Sequence, residues 1–368
     1  MKTRRQILSA IGTVGLTPMV SNLSAAAQKP KLKYLQIGTS HAHADKISVY
    51  QESPDWEVVG VVEPDPARAE ASRNSERYRD FPFLTLEQGL NTPDLKAVGI
   101  ETEVRDLLHH AELAIDAGCH IHLDKPAGES LAHFRRIYDK ADAARLTIQM
   151  GYMFRFNPAV QFMQECLKKG WLGEPFEVNT VMSKVVPANG RKGLADYPGG
   201  IMFELGCHIV DLTIGVLGRP DKVTAYPRQV LPDLKDGLID NMMAVFEYPK
   251  ATATVRSTAV EVEGFSRRHF VVCGTEGTCH IQPLDRPSVK LALSKNQGDY
   301  RKGVQDITYE PPYRRYVGDA ADLAAIIRGE KESDWGREHD LAVQEAVLIA
   351  AGLDPENFPA PEPPHLSR

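Results

Sequence analysis

The first part of the chain, residues 31–150, alternates short apolar runs with longer stretches suited to helices. One such stretch, 107–117, ends at Gly118, where glycine terminates a helix because it adopts a positive φ without strain. Runs of β-branched and other apolar residues predict five strands, at 33–37, 57–62, 97–100, 120–123 and 147–150. Strands that alternate with helices in this way predict a doubly wound parallel sheet, with helices on both faces.

The pattern changes after about residue 174, where strands follow one another with only turn residues between them. These strands are predicted at 176–185, 242–248, 252–260, 269–273 and 278–281. A long apolar helix at 201–217 precedes most of them, and further helices are predicted at 314–329 and 336–352. We therefore predict an α/β protein whose second domain, 151–330, is of the α+β type with an open, mostly antiparallel sheet. A C-terminal helix and a proline-rich tail would occupy 331–368.

Residues 1–27 have the layout of a secretory signal. Arg4 and Arg5 precede a weakly apolar stretch, and the small residues at 24–27 suit cleavage before Gln28. Paired arginines in this position indicate the twin-arginine route, so we expect the mature protein to be periplasmic or otherwise extracytoplasmic. No later segment has eighteen uninterrupted apolar residues, and we expect no membrane segment in the mature chain.

Composition and charge exclude several classes of function. The chain has 368 residues, 42% of them hydrophobic and 25% charged, which is typical of an ordered globular protein. The formal net charge is -6 and no dense basic stripe is present, so nucleic acid is not an expected partner. Five scattered cysteines without a CxxC pair predict neither a disulfide framework nor a structural zinc site.

The loop after the first strand is a partial dinucleotide-binding fingerprint. The pattern G-x-G-x-x-G requires glycines at 38, 40 and 43, but only Gly38 is present. Ser40 and His43 occupy the other two positions. We expect the loop to hold the cofactor through Gly38, Thr39, Ser40 and His41. Three interpretations of His41 and His43 stay open: one of them donates to a phosphate, one of them faces the substrate, or both simply pack.

Glu63 strengthens the prediction of a nucleotide site. It ends the second strand, 25 residues after Gly38, where an acidic residue accepts hydrogen bonds from the adenosine ribose. A carboxylate there would repel a 2′-phosphate, so NAD is favoured over NADP. The alternative is that Glu63 is simply a solvated residue at the end of a strand.

Three motifs resemble segments of the Gfo/Idh/MocA family, named for glucose–fructose oxidoreductase and inositol dehydrogenase. Residues 117–126, AGCHIHLDKP, resemble its AGKHVxxEKP segment, and residues 199–211, GGIMFELGCHIVD, resemble its GGxxxDxGxHxxD segment. Residues 155–158, RFNP, resemble the RFxP segment between them. The resemblance covers about residues 31–352 and implies a Rossmann domain that binds a nicotinamide cofactor.

The same resemblance implies the roles of several residues. Lys125 matches the family's catalytic lysine, which lies beside the nicotinamide and would stabilise negative charge on the reacting oxygen. His208 matches the acid–base histidine. Glu204 stands where the family usually has Asp. It precedes His208 by four residues, which predicts a shared helix face. Asp124 replaces the usual Glu before the lysine.

Three further residues are candidates for contact with the substrate. We expect Arg155, Lys184 and Asp211 to contact the substrate, although Asp211 could instead be structural. The spacing of Glu204, His208 and Asp211 could also gather three ligands for a divalent metal. We nevertheless expect no metal, because the resemblance explains these residues without one.

The expected function is oxidation of a secondary hydroxyl of a sugar, glycoside or polyol with NAD. Export favours a tightly bound NAD and a redox-neutral cycle, in which a transient 3-keto group permits elimination and hydration before the hydride returns. A plain dehydrogenase and a non-catalytic sugar-binding protein are the alternatives. The expected partner is a small carbohydrate, and the resemblance implies a dimer or tetramer of identical subunits.

Overall fold

A computed structural model describes residues 29–286, 288–309 and 313–356. The segment predicted to be a signal, 1–27, and the end of the proline-rich tail lie outside the described residues. Residues from Lys31 onward form one unit. No helix among the described residues is long and apolar enough to cross a membrane.

The first sheet has five parallel strands within the described residues, in the order β2-β1-β3-β4-β5. Buried apolar residues dominate these strands, as expected when both faces are covered by helices. The strands are β1 Leu32–Ile37, β2 Trp56–Val62, β3 Leu95–Ile100, β4 His120–Leu123 and β5 Ile148–Met150. The order reverses between β1 and β3, and ligands of such sheets bind at this switch point, beyond the carboxyl ends of the strands.

Five helices accompany the first sheet in the described residues: α1 Ile47–Glu52, α2 Pro66–Arg73, α3 Leu86–Leu90, α4 Val104–Asp116 and α5 Leu131–Ala144. A 3₁₀ turn, Ala44–Lys46, leads into α1. Local sequence explains their ends. Gly118 follows α4 with a φ of +79°, and Asp65 caps α2 by accepting a hydrogen bond from the backbone of Arg68.

The second sheet has eight strands within the described residues, in the order β13-β12-β11-β10-β6-β9-β8-β7. Neighbours are antiparallel except for the parallel pair β6 and β9. The strands are β6 Pro175–Val181, β7 Lys222–Arg228, β8 Asn241–Glu247, β9 Thr252–Thr258, β10 His269–Gly274, β11 Gly277–Ile281, β12 Ser288–Leu293 and β13 Gly303–Thr308. The predicted fold class is therefore confirmed.

The remaining helices of the described residues are α6 Pro158–Lys168, α7 Ala188–Ala195, α8 Cys207–Leu217, α9 Gly264–Arg267, α10 Val317–Ile327 and α11 Arg337–Ala350. Short 3₁₀ turns are present at Met153–Phe156 and Pro232–Leu234. The helix predicted at 201–217 begins instead with a π turn, Met202–Gly206, before α8. Such turns are rare and occur often at functional sites.

The RFNP segment is explained by the start of α6. Asn157 caps this helix, its side-chain oxygen accepting a hydrogen bond from the backbone of Ala159, and Pro158 occupies the first helical position. The Asn157 amide also donates to the carbonyl of Leu284, 2.9 Å away. The motif therefore starts α6 and attaches it to the region between β11 and β12.

The two C-terminal helices pack against elements of both parts of the fold. Helix α10 packs against α1, and α11 packs against both α5 and α8. Trp56, at the start of β2, donates a hydrogen bond from its indole to the carbonyl of Ala320 in α10, 2.9 Å away. The C-terminal helices thus join the first sheet's helices to α8.

Candidate active site

The candidate site is built where β1, β3 and β4 end. Gly38 follows β1, Glu101 follows β3, and Asp124 and Lys125 follow β4. Because these strands are parallel neighbours, their carboxyl ends lie at one edge of the sheet. The sequence motifs around positions 38 and 125 are thereby brought together.

Gly38 permits the close approach of the first loop to the end of β3. It has a φ of +94°, and a Cβ atom there would lie 2.5 Å from the carbonyl carbon of Glu101 and the nitrogen of Thr102. The loop is held by a hydrogen bond from the backbone of His41 to the carbonyl of Glu101, 3.0 Å. A side chain at position 38 would force the two backbones apart.

Glu63 holds the same loop from the other side. Its Oε2 accepts hydrogen bonds from the backbone nitrogen and the hydroxyl of Thr39, at 2.7 and 2.6 Å. Its Oε1 accepts one from the backbone of Asp65, 3.0 Å away. A carboxylate oxygen has two acceptor positions, so Oε1 retains capacity for a ribose hydroxyl.

These residues fit a dinucleotide. The loop at Gly38, which only glycine can form, lies where the pyrophosphate would bind. The Glu63 carboxylate at the end of β2 lies where the ribose would bind. Ser40 is half-buried and Ala42 is exposed, so the loop backbone is accessible at these positions. When bound, the nucleotide would be held by Gly38, Ser40 and Glu63, and Thr39 would order the loop beneath it.

A buried ammonium group lies beneath the loop. Lys46 Nζ is 2.9 Å from Glu101 Oε1 and 2.7 Å from Asp124 Oδ2, and it contacts His122 Nε2 at 2.8 Å. The Lys46 side chain is only 1% exposed. Sequence reasoning missed Lys46, Glu101 and His122, whose only signal is a charged or polar residue within an apolar element.

The two loop histidines turn inward, toward Asp124. His41 Nδ1 lies 3.1 Å from Asp124 Oδ2, and its Nε2 lies 3.0 Å from the carbonyl of Lys125. His43 Nδ1 lies 3.2 Å from Asp124 Oδ1. Burial alone would raise the pKa of Asp124, but His41, Lys46 and His43 hold it well below its usual range. Asp124 is therefore a buried carboxylate.

Lys125 and Glu204 form the centre of the candidate site. Lys125 Nζ donates a hydrogen bond to the backbone carbonyl of Glu204, 2.8 Å away, and lies 3.7 Å from its Oε1. Lys184 Nζ lies 3.2 Å from the other oxygen, Oε2. Burial would raise the pKa of Glu204, but Lys125 and Lys184 lower it to about 2. The π turn thus presents an ionised carboxylate between two lysines.

His208 lies close to this pair as a neutral imidazole. Its side chain is buried, and its Nδ1 has no hydrogen-bond partner among the described residues. The rings of Phe154 and His43 lie 5.4 and 5.7 Å from its own, centroid to centroid. Burial, and then the charge of Lys125, hold the pKa of His208 well below its usual value. It is therefore available as a base.

Arg155 and Asp211 have partners in the interior. Arg155 Nη2 lies 2.6 Å from Asp211 Oδ1 and 2.5 Å from Asp340 Oδ1, and His339 Nε2 lies 3.0 Å from Asp211 Oδ1. The Arg155 and Asp211 side chains are 2% and 1% exposed. We expected both to contact the substrate. The structure instead supports a structural role, because each uses its charge to compensate a buried partner.

The metal alternative is also not supported at the predicted position. Glu204, His208 and Asp211 do not bring their ligand atoms together. Among the described residues, two other groups bring three possible ligand atoms close together. One consists of His41, His43 and Asp124, and the other of Asp211, His339 and Asp340. Both already lie against a buried cation, Lys46 in the first case and Arg155 in the second.

Comparison with known proteins agrees with this geometry. The family model "Oxidoreductase family, NAD-binding Rossmann fold" matches residues 32–152, and the "GFO/IDH/MocA C-terminal domain" matches residues 160–280. The D-xylose 1-dehydrogenase (NADP(+)) 2 of Haloferax volcanii is 26% identical over 317 residues, which are 84% of this chain and 94% of that protein.

Two solved structures have the same fold. They are a levoglucosan dehydrogenase in complex with NADH and levoglucosan, and the aldose–aldose oxidoreductase from Caulobacter crescentus in complex with glycerol. Each has a TM-score of 0.73 and 20% sequence identity, and covers 88% of this chain and 98% of that chain. With both of its domains matched, the chain belongs to the Gfo/Idh/MocA family of NAD(P)-dependent oxidoreductases, which includes sugar and polyol dehydrogenases.

Proposed function

We propose that this protein is an exported NAD-dependent oxidoreductase that acts on a secondary hydroxyl of a sugar, glycoside or polyol. The observation that carries the proposal is the convergence of Lys125, Glu204 and His208 beyond the carboxyl end of β4. An ammonium, a carboxylate and a neutral imidazole next to a nucleotide loop are the groups that alcohol oxidation requires.

The roles follow from the charges. Lys125, held by the Glu204 carbonyl, would donate to the reacting oxygen and stabilise its negative charge as the O–H proton leaves. His208, neutral because of its burial, would accept that proton. NAD, when bound, supplies the hydride acceptor. Lys184, partly exposed and paired with Glu204, is placed to contact a further hydroxyl of the substrate.

NAD is proposed over NADP because of Glu63. Its carboxylate already orders the loop through Thr39, and a 2′-phosphate would bring negative charge against it. The relatives differ in their nicotinamide cofactor: the xylose dehydrogenase is named for NADP, whereas the levoglucosan dehydrogenase structure contains NADH. The acidic residue in this chain is what favours NAD.

Two considerations support a redox-neutral cycle with retained NAD. The segment 1–27 has the features of a twin-arginine signal, and free nicotinamide nucleotide is expected to be scarce outside the cytoplasm. One protein of the same fold is named an aldose–aldose oxidoreductase, so hydride exchange between two sugars has a precedent in that name. Transient oxidation to a 3-keto sugar, followed by elimination and hydration, is the variant that we favour.

Substrate screening with two readouts tests this proposal. The purified protein would be incubated with levoglucosan, D-xylose, myo-inositol and simple glycosides while absorbance reports NADH and NMR reports sugar products. We expect glycoside cleavage without net accumulation of NADH, and none in Lys125→Met. Stoichiometric NADH with a stable ketose would identify a plain dehydrogenase instead. Sugar binding with neither product would identify a non-catalytic sugar-binding protein.

A further inference from the structure

A second imidazole, His43, faces the candidate site and has no role in the chemistry described so far. It occupies a fingerprint position where glycine is usual, and its side chain is 13% exposed. Its ring centroid lies 5.7 Å from that of His208 and 5.9 Å from that of Tyr316. It is also close enough to Lys125 and Glu204 to interact with their charges. His43 thus lies among the groups expected to handle the substrate.

Asp124 fixes the protonation of His43. The Asp124 carboxylate is buried and ionised, so it can only accept a hydrogen bond, and it lies 3.2 Å from His43 Nδ1. Nδ1 therefore carries the proton, and Nε2 presents its lone pair. Nε2 makes no hydrogen bond to the described residues. A carboxylate that orients an imidazole in this way fixes the tautomer whose Nε2 can accept a proton.

The carboxylate is itself held rigidly. Asp124 Oδ1 also accepts a hydrogen bond from the backbone nitrogen of Lys125, 2.7 Å away, and Oδ2 pairs with Lys46. Gly151 leaves the space that this requires, because a Cβ atom there would lie 2.8 Å from Asp124 Oδ1. The orientation of His43 by Asp124 therefore depends on the Lys125 backbone, Lys46 and Gly151.

A metal ion held by His41, His43 and Asp124 is the other use of these side chains. Their ligand atoms lie within 4.8 Å of one another. However, the Lys46 ammonium lies 2.7 Å from Asp124 Oδ2 and would repel a divalent cation. The carboxylate already has its positive partner, and this favours the use of His43 as a base.

From these contacts we infer that His43, oriented by Asp124, is a second general base of the site and removes a proton from the carbon next to the oxidised carbon. The inference rests on the proposed function, because a C–H bond becomes acidic only beside a carbonyl group. Oxidation requires one base, for the O–H proton, whereas elimination requires another, for the C–H proton. Two neutral imidazoles at one site match that requirement.

The C–H bond next to the ketone breaks, its proton forms an N–H bond at His43 Nε2, and its electron pair forms the enolate. The enolate then either expels the neighbouring glycosidic oxygen or takes the proton back. The expelled alkoxide takes a proton from water, and water is also the reactant of the later hydration. The oxidant is the NAD of the proposed function. The imidazolium exchanges its proton with water, so reversal in D₂O places deuterium on that carbon.

Deuterium exchange into a ready-made ketone tests the inference apart from the hydride step. The probes are methyl 3-keto-β-D-glucopyranoside and the inosose derived from myo-inositol, each incubated in D₂O with protein and excess NAD, which cannot reduce a ketone. NMR follows loss of the C–H signal beside the carbonyl. We expect wild-type protein to catalyse exchange and His43→Gln to lower its rate by about 100-fold or more.

A matched histidine–carboxylate pair supplies the control. His133 Nε2 lies 2.8 Å from Glu112 Oε2 on α5 and α4, away from the loop, and His133→Gln should exchange at the wild-type rate. His208→Asn should lower NAD reduction by the parent alcohols yet retain exchange. Absence of exchange in the wild type, or equal exchange in wild type and His43→Gln, would overturn the inference.

A measurement on the wild-type protein keeps the test valid if the variant does not fold. With ¹⁵N-labelled histidine, the Nδ1–H form is expected for His43, and a proton on Nε2 with a bare Nδ1 would overturn the inference. The two proposals fail separately. Exchange with neither glycoside cleavage nor NAD reduction would leave the second base in place and contradict the oxidoreductase, whereas NAD reduction without exchange would do the reverse.

Discussion

At the scale of single residues, Lys125 connects the two halves of the site. It follows β4 of the first sheet, and its ammonium donates to the Glu204 carbonyl in the π turn before α8. Burial would lower its pKa, but Cys207, Glu204 and Asp124 raise it. Lys125 is therefore charged at neutral pH, as a donor to a developing alkoxide must be.

Replacement of Lys125 by Met should remove the donor and keep most of the side-chain volume. We expect kcat for glycoside turnover to fall by roughly 100- to 1000-fold, the usual effect of deleting one such donor. Nucleotide affinity, measured by NADH fluorescence, should change by less than about 10-fold. A variant with normal kcat would show that another group stabilises the reacting oxygen.

His43 should make the stability of the protein depend on pH. Burial lowers its pKa from 6.5 to about 4, so the unfolded chain binds more protons between these values. Stability is then lost as pH falls from about 6.5 and the loss is complete near pH 4. Between pH 7 and 5, wild type should lose about 2 kcal/mol more than His43→Gln in the free energy of unfolding. Urea denaturation at the two pH values measures this, and equal losses would contradict a buried neutral His43.

At the scale of elements, the loop after β1 depends on one glycine. Gly38→Ala would combine a positive φ with a 2.5 Å approach to the backbone of Glu101 and Thr102. We expect NAD affinity, measured by calorimetry, to fall by more than about 10-fold. Gly118→Ala is the matched control, since it has a φ of +79° with nothing within 4 Å of its Cβ. Equal affinities in the two variants would show that the loop does not position the nucleotide.

Strands were predictable where burial is continuous. The five strands of the first sheet are covered on both faces, so their near-unbroken apolar runs identify them within one or two residues. Sequence reasoning missed β7, β12 and β13, which lie at the two ends of the second sheet. β13 is largely exposed, and β7 contains Pro227, so neither shows the pattern of a buried strand.

The site was predictable only in part, and for a physical reason. The motif residues Lys125, Glu204 and His208 could be selected by resemblance, and the structure brings them together. The π turn and the inward direction of His43 depend on contacts between distant segments. The spacing of residues near positions 204 and 43 in the sequence therefore predicts neither the π turn nor the direction of the His43 side chain.

At the scale of the whole molecule, a buried ion cluster links three elements. Arg155 precedes α6, Asp211 lies on α8, and Asp340 lies on α11, where it also accepts a hydrogen bond from Tyr138 of α5. Removal of Arg155 leaves the two buried carboxylates without their shared cation. The cluster therefore couples the C-terminal helix to the rest of the fold.

Arg155→Met should lower the free energy of unfolding by about 3–5 kcal/mol, the usual cost of breaking a buried pair. Arg219→Met, which breaks the exposed pair with Glu345 on α11, should cost no more than about 1 kcal/mol. Denaturant unfolding compares them. An Arg155→Met variant with normal stability but a raised KM would contradict the structural role and support the substrate contact that we expected from the sequence.

The most direct test of the account is the nucleotide content of the protein itself. The protein would be purified without added cofactor and denatured, and the supernatant assayed for NAD(H) and NADP(H) by enzymatic cycling. We expect close to one NAD(H) per chain, with little NADP(H), and strongly reduced content in Gly38→Ala. A protein that carries no nucleotide and binds none on addition would contradict it.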